Sequence, residues 1–186
     1  MRTRKTSAPG RAGRPRPNRA IVMASVLALA FAAIPVSQAA AAGSEAAGFT
    51  RLVKTHDEWR KLLPPERFSI LFQEETERAG TSPLAEEKRA GTFVCAACFL
   101  PLFESRSKYE SGTGWPSFSQ PIEGRLGTKL DSRLFSTRTE YHCARCGGHQ
   151  GHVFDDGPPP TGKRYCNNGL ALIFVPEGAP LPALRQ

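Results

Sequence analysis

The residues able to do chemistry are concentrated in the second half of the chain, and most of them are sulfur. Four cysteines form two Cys-x-x-Cys pairs, Cys95 with Cys98 and Cys143 with Cys146, while Cys166 has no cysteine near it in sequence. Each pair can bend round a metal as a knuckle. Together they offer four thiolates in a tetrahedron, the arrangement of structural zinc, one ion per chain. Two other chemistries compete for the same residues: a redox dithiol at each pair, or disulfides in an oxidising compartment. A bridge inside Cys-x-x-Cys is strained, and two matched pairs favour the metal. His142, His149 and His152 are also possible ligands, but two intact pairs already fill four positions. Cys166 is then the one thiol kept out of metal and disulfide bonds. Arg164, two residues away in an extended segment, falls on the same face and draws the thiol toward thiolate. The bland alternative is an inert buried cysteine heading the last strand.

Longer motifs surround these residues. "SGTGWPSF" (111 to 118), "CARCGGHQGHVFDDGPPPTGKRYCNNG" (143 to 169) and the upstream "CAAC" closely resemble the B-type methionine-R-sulfoxide reductase family. The resemblance runs from about Thr55 to Pro176. It implies two antiparallel β-sheets with N-terminal helices, a zinc held by the two pairs, and reduction of the R epimer of methionine sulfoxide, mainly in proteins. It makes Cys166, within Arg-Tyr-Cys-Asn-Asn, the nucleophile. The chemistry agrees: a thiolate attacks the sulfoxide sulfur and takes the oxygen as sulfenic acid, so one activated thiol is required. The departing oxygen needs a proton, and the resemblance places His149 and His152 at the site, with His152 the preferred acid. It makes Asn168 a hydrogen-bonding residue of the site and Trp115 the aromatic face for the S-methyl group. Asp155 or Asp156 is expected to orient a histidine. Arg164 is expected on the substrate side, although a solvated charge is its plainer reading, as a core position is for a lone Trp.

The chain departs from the family pattern at Thr113. Many members carry a cysteine there, which resolves the sulfenic acid into an internal disulfide that thioredoxin reduces. With Thr in its place and the other cysteines assigned to zinc, the chain reads as a one-cysteine form. Its reductant, thioredoxin-like or another thiol, must attack the sulfenic acid directly.

These residues need a scaffold, and the patterning predicts one that is mainly β. Thr55 and Glu58 have capping-box spacing ahead of Trp59, Leu62 and Leu63 on one helical face. Pro64-Pro65 stop that helix and open a second, with Phe68, Leu71 and Phe72 at i, i+3, i+4 and an expected end at Gly80. Beyond Gly91 come short runs of β-formers, "TFVCAACF", "RLFSTRTEYHC" and "LALIFV", between Gly, Pro, Ser and Asp clusters. The expected organisation is a linker over 40–54, a domain over 55–176 whose last strand lies near Leu170 to Val175, and a loose tail over 177–186.

Residues 1–39 read as a signal peptide. Arg2, Arg4, Lys5, Arg11, Arg14, Arg16 and Arg19 precede the apolar run "AIVMASVLALAFAAI", no Asp or Glu occurs before Glu45, and small residues near Ala39 offer a cleavage site. The run is shorter than the ~20 residues that span a bilayer, so no stable membrane span is expected. Export to a bacterial periplasm or cell envelope is the preferred reading, with an organellar transit peptide as the alternative. Seven of the chain's 25 Lys and Arg residues lie in this leader, leaving 18 against 17 Asp and Glu. The high pI therefore carries no message about nucleic acid. Both methionines, Met1 and Met23, also precede the domain, which leaves it none to oxidise. Two functions from other classes compete with the reductase: a noncatalytic zinc-stabilised binding module, and a Cys-x-x-Cys thiol oxidoreductase with redox-active pairs.

Overall fold

A computed structural model describes residues 48–132 and 137–186. The leader, and the linker up to residue 47, lie outside the described residues. Thr55 caps the first helix, α1 (His56–Leu62), as its spacing predicts. The Thr55 Oγ1 accepts from the Glu58 N–H at 3.3 Å and the Glu58 carboxylate accepts from the Thr55 N–H at 2.7 Å. Trp59 and Leu63 are buried, but Leu62 is exposed, so the apolar face is narrower than expected. The second helix, α2 (Pro65–Gln73), opens on proline and stacks Phe72 on Trp59 with ring centroids 4.8 Å apart.

Helix α2 ends at Gln73, well short of Gly80. Glu74 adopts a left-handed conformation (φ 57°) and the next residues, through Arg78, belong to neither helix nor strand. The pattern explains it, because Glu74-Glu75-Thr76-Glu77-Arg78 supplies no apolar residue to continue the stripe. Glu77 is nevertheless buried, for a reason given below.

Nine strands follow among the described residues: β1 (Gly91–Cys95), β2 (Pro101–Glu104), β3 (Lys108–Tyr109), β4 (Ser117–Phe118), β5 (Leu126–Asp131), β6 (Arg138–Cys143), β7 (His149–Phe154), β8 (Arg164–Asn167) and β9 (Leu172–Pro176). They form a three-stranded sheet in the order β2-β1-β9 and a six-stranded sheet in the order β3-β4-β8-β7-β6-β5, every pairing antiparallel. The fold is mainly β with two antiparallel sheets and two short helices, as the patterning predicts. Between the sheets lies an aromatic core, with Phe103 of β2 stacked on Phe118 of β4 at 4.1 Å and Phe93 of β1 edge-on to Phe118 at 4.9 Å. Tyr141 of β6 and Tyr165 of β8 meet beside them at 5.3 Å.

That core decides where the chemistry goes. Side chains alternate across a strand, so if Tyr141 and Tyr165 point inward, Glu140, Cys166 and Arg164 must point to the other face of the large sheet. The segment 177–186, read as a loose tail, returns to the domain. The Arg185 N–H donates to the Cys98 carbonyl at 3.2 Å, and the Arg145 side chain donates to the Arg185 carbonyl at 2.7 Å.

Candidate active site

Register brings the central residues together. Cys166 on β8 pairs with His152 on β7 and with Ser117 on β4, so thiol and imidazole stand side by side on the outer face. The close approach of the two strands requires Gly151. A Cβ there would stand 1.9 Å from the Cys166 carbonyl oxygen.

His149 and His152 are three residues apart, which in a regular strand would send them to opposite faces. A bulge corrects this. Tyr141 pairs with Gly151 and His142 with His149, so Gln150 is passed over and both histidines turn to one side, their ring centroids 5.5 Å apart.

Each histidine has its own carboxylate, and neither is the one expected. His152 Nε2 lies 2.8 Å from Asp131 Oδ2 at the end of β5, and Arg138 Nη2 donates to the same oxygen at 2.9 Å. His149 Nδ1 faces Glu140 Oε1 at 3.1 Å with both side chains buried. Burial pushes the His149 pKa below its ordinary value despite the opposing pull of Glu140, so this ring is neutral at pH 7. Asp155 and Asp156 orient no histidine. Asp155 pairs with Lys163, and Asp156 takes Arg164 in a two-point grip at 2.8 Å for each bond. Asp131 and Glu140 carry no local sequence signal, because strand pairing alone aligns them with β7.

Arg164 does act on Cys166, but it loses to burial. Desolvation pushes the thiol above its ordinary pKa, against the Arg164 charge and hydrogen bonds from Thr113 and Arg164, while Asp156 adds to the rise. Burial thus favours the thiol form and Arg164 opposes it. Thr113 Oγ1 meets Ser111 Oγ at 2.8 Å, which in turn meets Ser117 Oγ at 2.7 Å. Trp115 stands half-buried beside this loop, its Nε1 donating to the Glu77 carbonyl at 3.1 Å. Asn168 is buried with Nδ2 donating to the Gln150 carbonyl at 3.1 Å, which locks the turn after β8 onto β7.

The four paired cysteines converge elsewhere, at one end of the sheets. Their sulfurs lie within 4.8 Å of one another. The shortest separations run between the pairs, Cys95 to Cys146 at 3.7 Å and Cys98 to Cys143 at 3.6 Å, and all five cysteines are free. Tetrahedral ligation at ~2.3 Å places sulfurs ~3.8 Å apart, so the cluster fits a metal and does not resemble a disulfide within either pair. The two knuckles are built alike. Phe99 N–H donates to Cys95 O at 2.8 Å and Gly147 N–H to Cys143 O at 2.9 Å, with both donor residues at positive φ. His142, His149 and His152 take no part in the cluster.

Comparison with known proteins agrees with this arrangement. A protein-family profile described as the SelR domain matches residues 63–176. The chain is 51% identical over 125 residues to the peptide methionine sulfoxide reductase MsrB of Leptospira interrogans, covering 67% of this chain and 95% of that protein. The chain belongs to the peptide methionine sulfoxide reductase B family. Other members at similar distance are the MsrB of Methanosarcina barkeri, 50% identical over 67% of this chain and 88% of that protein, and the chloroplastic B1 protein of Arabidopsis thaliana, 52% identical over 63% of this chain and 59% of that protein. In this chain the cysteines lie at two places, a four-thiol cluster and, on the outer face of the large sheet, Cys166.

Proposed function

We infer that this chain reduces the R epimer of methionine sulfoxide in proteins, with Cys166 as nucleophile. The observation that carries the reading is the pairing of Cys166, the cysteine outside the thiol cluster, with His152, whose ring is held by Asp131. The Cys166 sulfur attacks the sulfoxide sulfur while the oxygen is protonated. Oxygen passes to the thiol, Cys166 becomes a sulfenic acid, and methionine is released. The thiol proton and the oxygen account for the change, so no further reactant is needed in this half-reaction.

His152 is suited to move that proton. With Asp131 on Nε2, its Nδ1 remains to exchange with the site. Burial favours the Cys166 thiol in the free enzyme, so the proton leaves as the sulfur attacks. Arg164 then stabilises the charge as it forms, and Trp115 offers an apolar, polarisable surface to the S-methyl group. Recycling uses an external thiol, which displaces water from the sulfenic acid to give a mixed disulfide that a second thiol opens. Thr113 supports this one-cysteine route because it occupies the loop position beside the sulfur with a hydroxyl. The four-thiolate cluster is assigned one structural zinc, which ties the β1–β2 turn to the β6–β7 turn and leaves no open position. The basic and apolar leader supports export to a bacterial envelope.

Turnover of the separated epimers of a blocked methionine sulfoxide tests the reading. Cys166→Ser is expected to lose R-epimer reduction with fold and metal content intact, since a hydroxyl cannot make this attack at a useful rate. Residual turnover above roughly a few per cent would remove Cys166 from the role. A noncatalytic module predicts no turnover in the wild type, and a Cys-x-x-Cys oxidoreductase predicts activity that survives loss of Cys166.

A further inference from the structure

Glu77 is a buried acidic residue in a segment that is neither helix nor strand, four positions past the end of α2, where the sequence predicts more helix. Its Oε1 accepts from the Gly169 N–H at 2.5 Å and its Oε2 from the Leu170 N–H at 2.9 Å. Those amides open the short 3-10 turn Gly169–Ala171 directly after Asn168. The Glu77 backbone is engaged as well: its N–H donates to Asn168 Oδ1 at 3.0 Å, and its carbonyl accepts from Trp115 Nε1 at 3.1 Å. One residue therefore grips both the turn that follows Cys166 and the indole proposed to face the substrate. The segment closes over them, with Gly80 N–H donating to the Gly114 carbonyl at 2.8 Å and Gly169 packed so tightly that a Cβ would meet Ser82 Oγ at 1.8 Å.

A carboxylate is costly to bury unless hydrogen bonds meet it. Here it is met by two backbone amides at once, which fixes its position to within the tolerance of those bonds. The bonds that matter for Trp115 come from the Glu77 backbone, so the carboxylate acts on the indole indirectly, by pinning the segment that carries that carbonyl. The geometry points to Glu77 as a positioning residue for sulfoxide reduction, holding the Trp115 indole at a fixed distance from Cys166 so that the S-methyl group finds its surface already in place. This rests on the reading of Trp115 as the substrate face.

The test compares Glu77→Gln with Trp115→Phe, measuring kcat and KM for methionine-R-sulfoxide and the Trp emission spectrum of each folded variant. Gln preserves volume but sets an amide donor against a backbone donor, so the clamp loses one bond. The expected result is a KM raised on the order of tenfold with kcat changed less, and emission shifted to the red as the indole loosens. The alkylation rate of Cys166 should stay at the wild-type value. Glu77→Asp, which keeps the charge but falls short of the amides, should give the same two signals and serves if the Gln variant does not fold. If Trp115→Phe raises KM while both Glu77 variants keep wild-type KM and emission, the role of Glu77 is overturned and that of Trp115 stands. If Trp115→Phe leaves KM unchanged, the substrate face has been misplaced and the role of Glu77 goes with it.

Discussion

At the scale of single residues, Cys166 occupies surroundings that oppose its ionisation, and the balance of two forces there is measurable. Burial raises its pKa and Arg164 lowers it. Alkylation of metal-loaded protein should accelerate as pH rises, with a midpoint above that of an ordinary exposed cysteine. Removing the cation removes the downward pull, so Arg164→Ala should move the midpoint higher still and slow labelling near pH 8. A midpoint that moves down, or stays put, would show that Arg164 exerts no such pull. Thr113 permits a second residue-scale test, because it stands where many relatives in the resembled family carry a second cysteine. After one equivalent of sulfoxide without reductant, wild-type protein should hold a sulfenic acid that dimedone captures. Thr113→Cys should instead close a disulfide to Cys166, provided the Cα atoms lie within roughly 7 Å. Peptide mapping separates the two products. Cys166 joined to any of the four clustered cysteines in the wild type would contradict the one-cysteine route.

At the scale of elements, the β7–β8 pair sets the distance between thiol and imidazole. An alanine at 151 would drive a methyl group into the Cys166 carbonyl, so the strands must part at the His152–Cys166 pair. Gly151→Ala is expected to destabilise the domain by about 1–3 kcal/mol and to depress turnover far beyond the fraction unfolded; kcat measured beside a denaturant midpoint checks this. Elements also mark how far the sequence could be read. The capping box at Thr55, the Pro-Pro junction, the alternating β runs and the two knuckles were legible because each is a local pattern. Cys166, His149, His152, Asn168, Trp115 and Arg164 are named through family motifs; the structure pairs Cys166 with His152, sets the two histidine rings 5.5 Å apart, and joins Asn168 and Trp115 through Glu77. The partners of the histidines were not legible. Asp131 reaches His152 across two intervening strand pairings, and no local spacing announces that register. The expectation that Asp155 or Asp156 orients a histidine fails because each meets a cation instead, Asp155 with Lys163 and Asp156 with Arg164. The end of α2 was misjudged for a related reason, since what draws Glu77 inward is a turn some ninety residues later.

At the scale of the whole molecule, the two centres share one strand. β7 sends Gln150 Nε2 toward Cys95 Sγ at 3.6 Å and, two residues on, presents His152 to Cys166. Metal loss should therefore be felt at the active site as well as in the fold. Cys98→Ser is expected to release zinc, measured by elemental analysis, and to lower the melting transition steeply, since four-thiolate sites contribute on the order of 10 kcal/mol to folding in small domains. Active protein without metal would refute the assignment. The strand order carries one more implication, concerning synthesis. The fourth ligand, Cys146, leaves the ribosome well before β8, yet β8 belongs in the middle of the six-stranded sheet, between β4 and β7. A nascent or truncated chain ending near Pro160 carries all four clustered cysteines but lacks the strand that separates β4 from β7, so any sheet it forms has two unpaired margins there. Such a species is ready to take up a foreign strand. The segment that fills the gap is the one bearing Cys166, so a chain acquires its nucleophile in the same event that makes it safe from its neighbours.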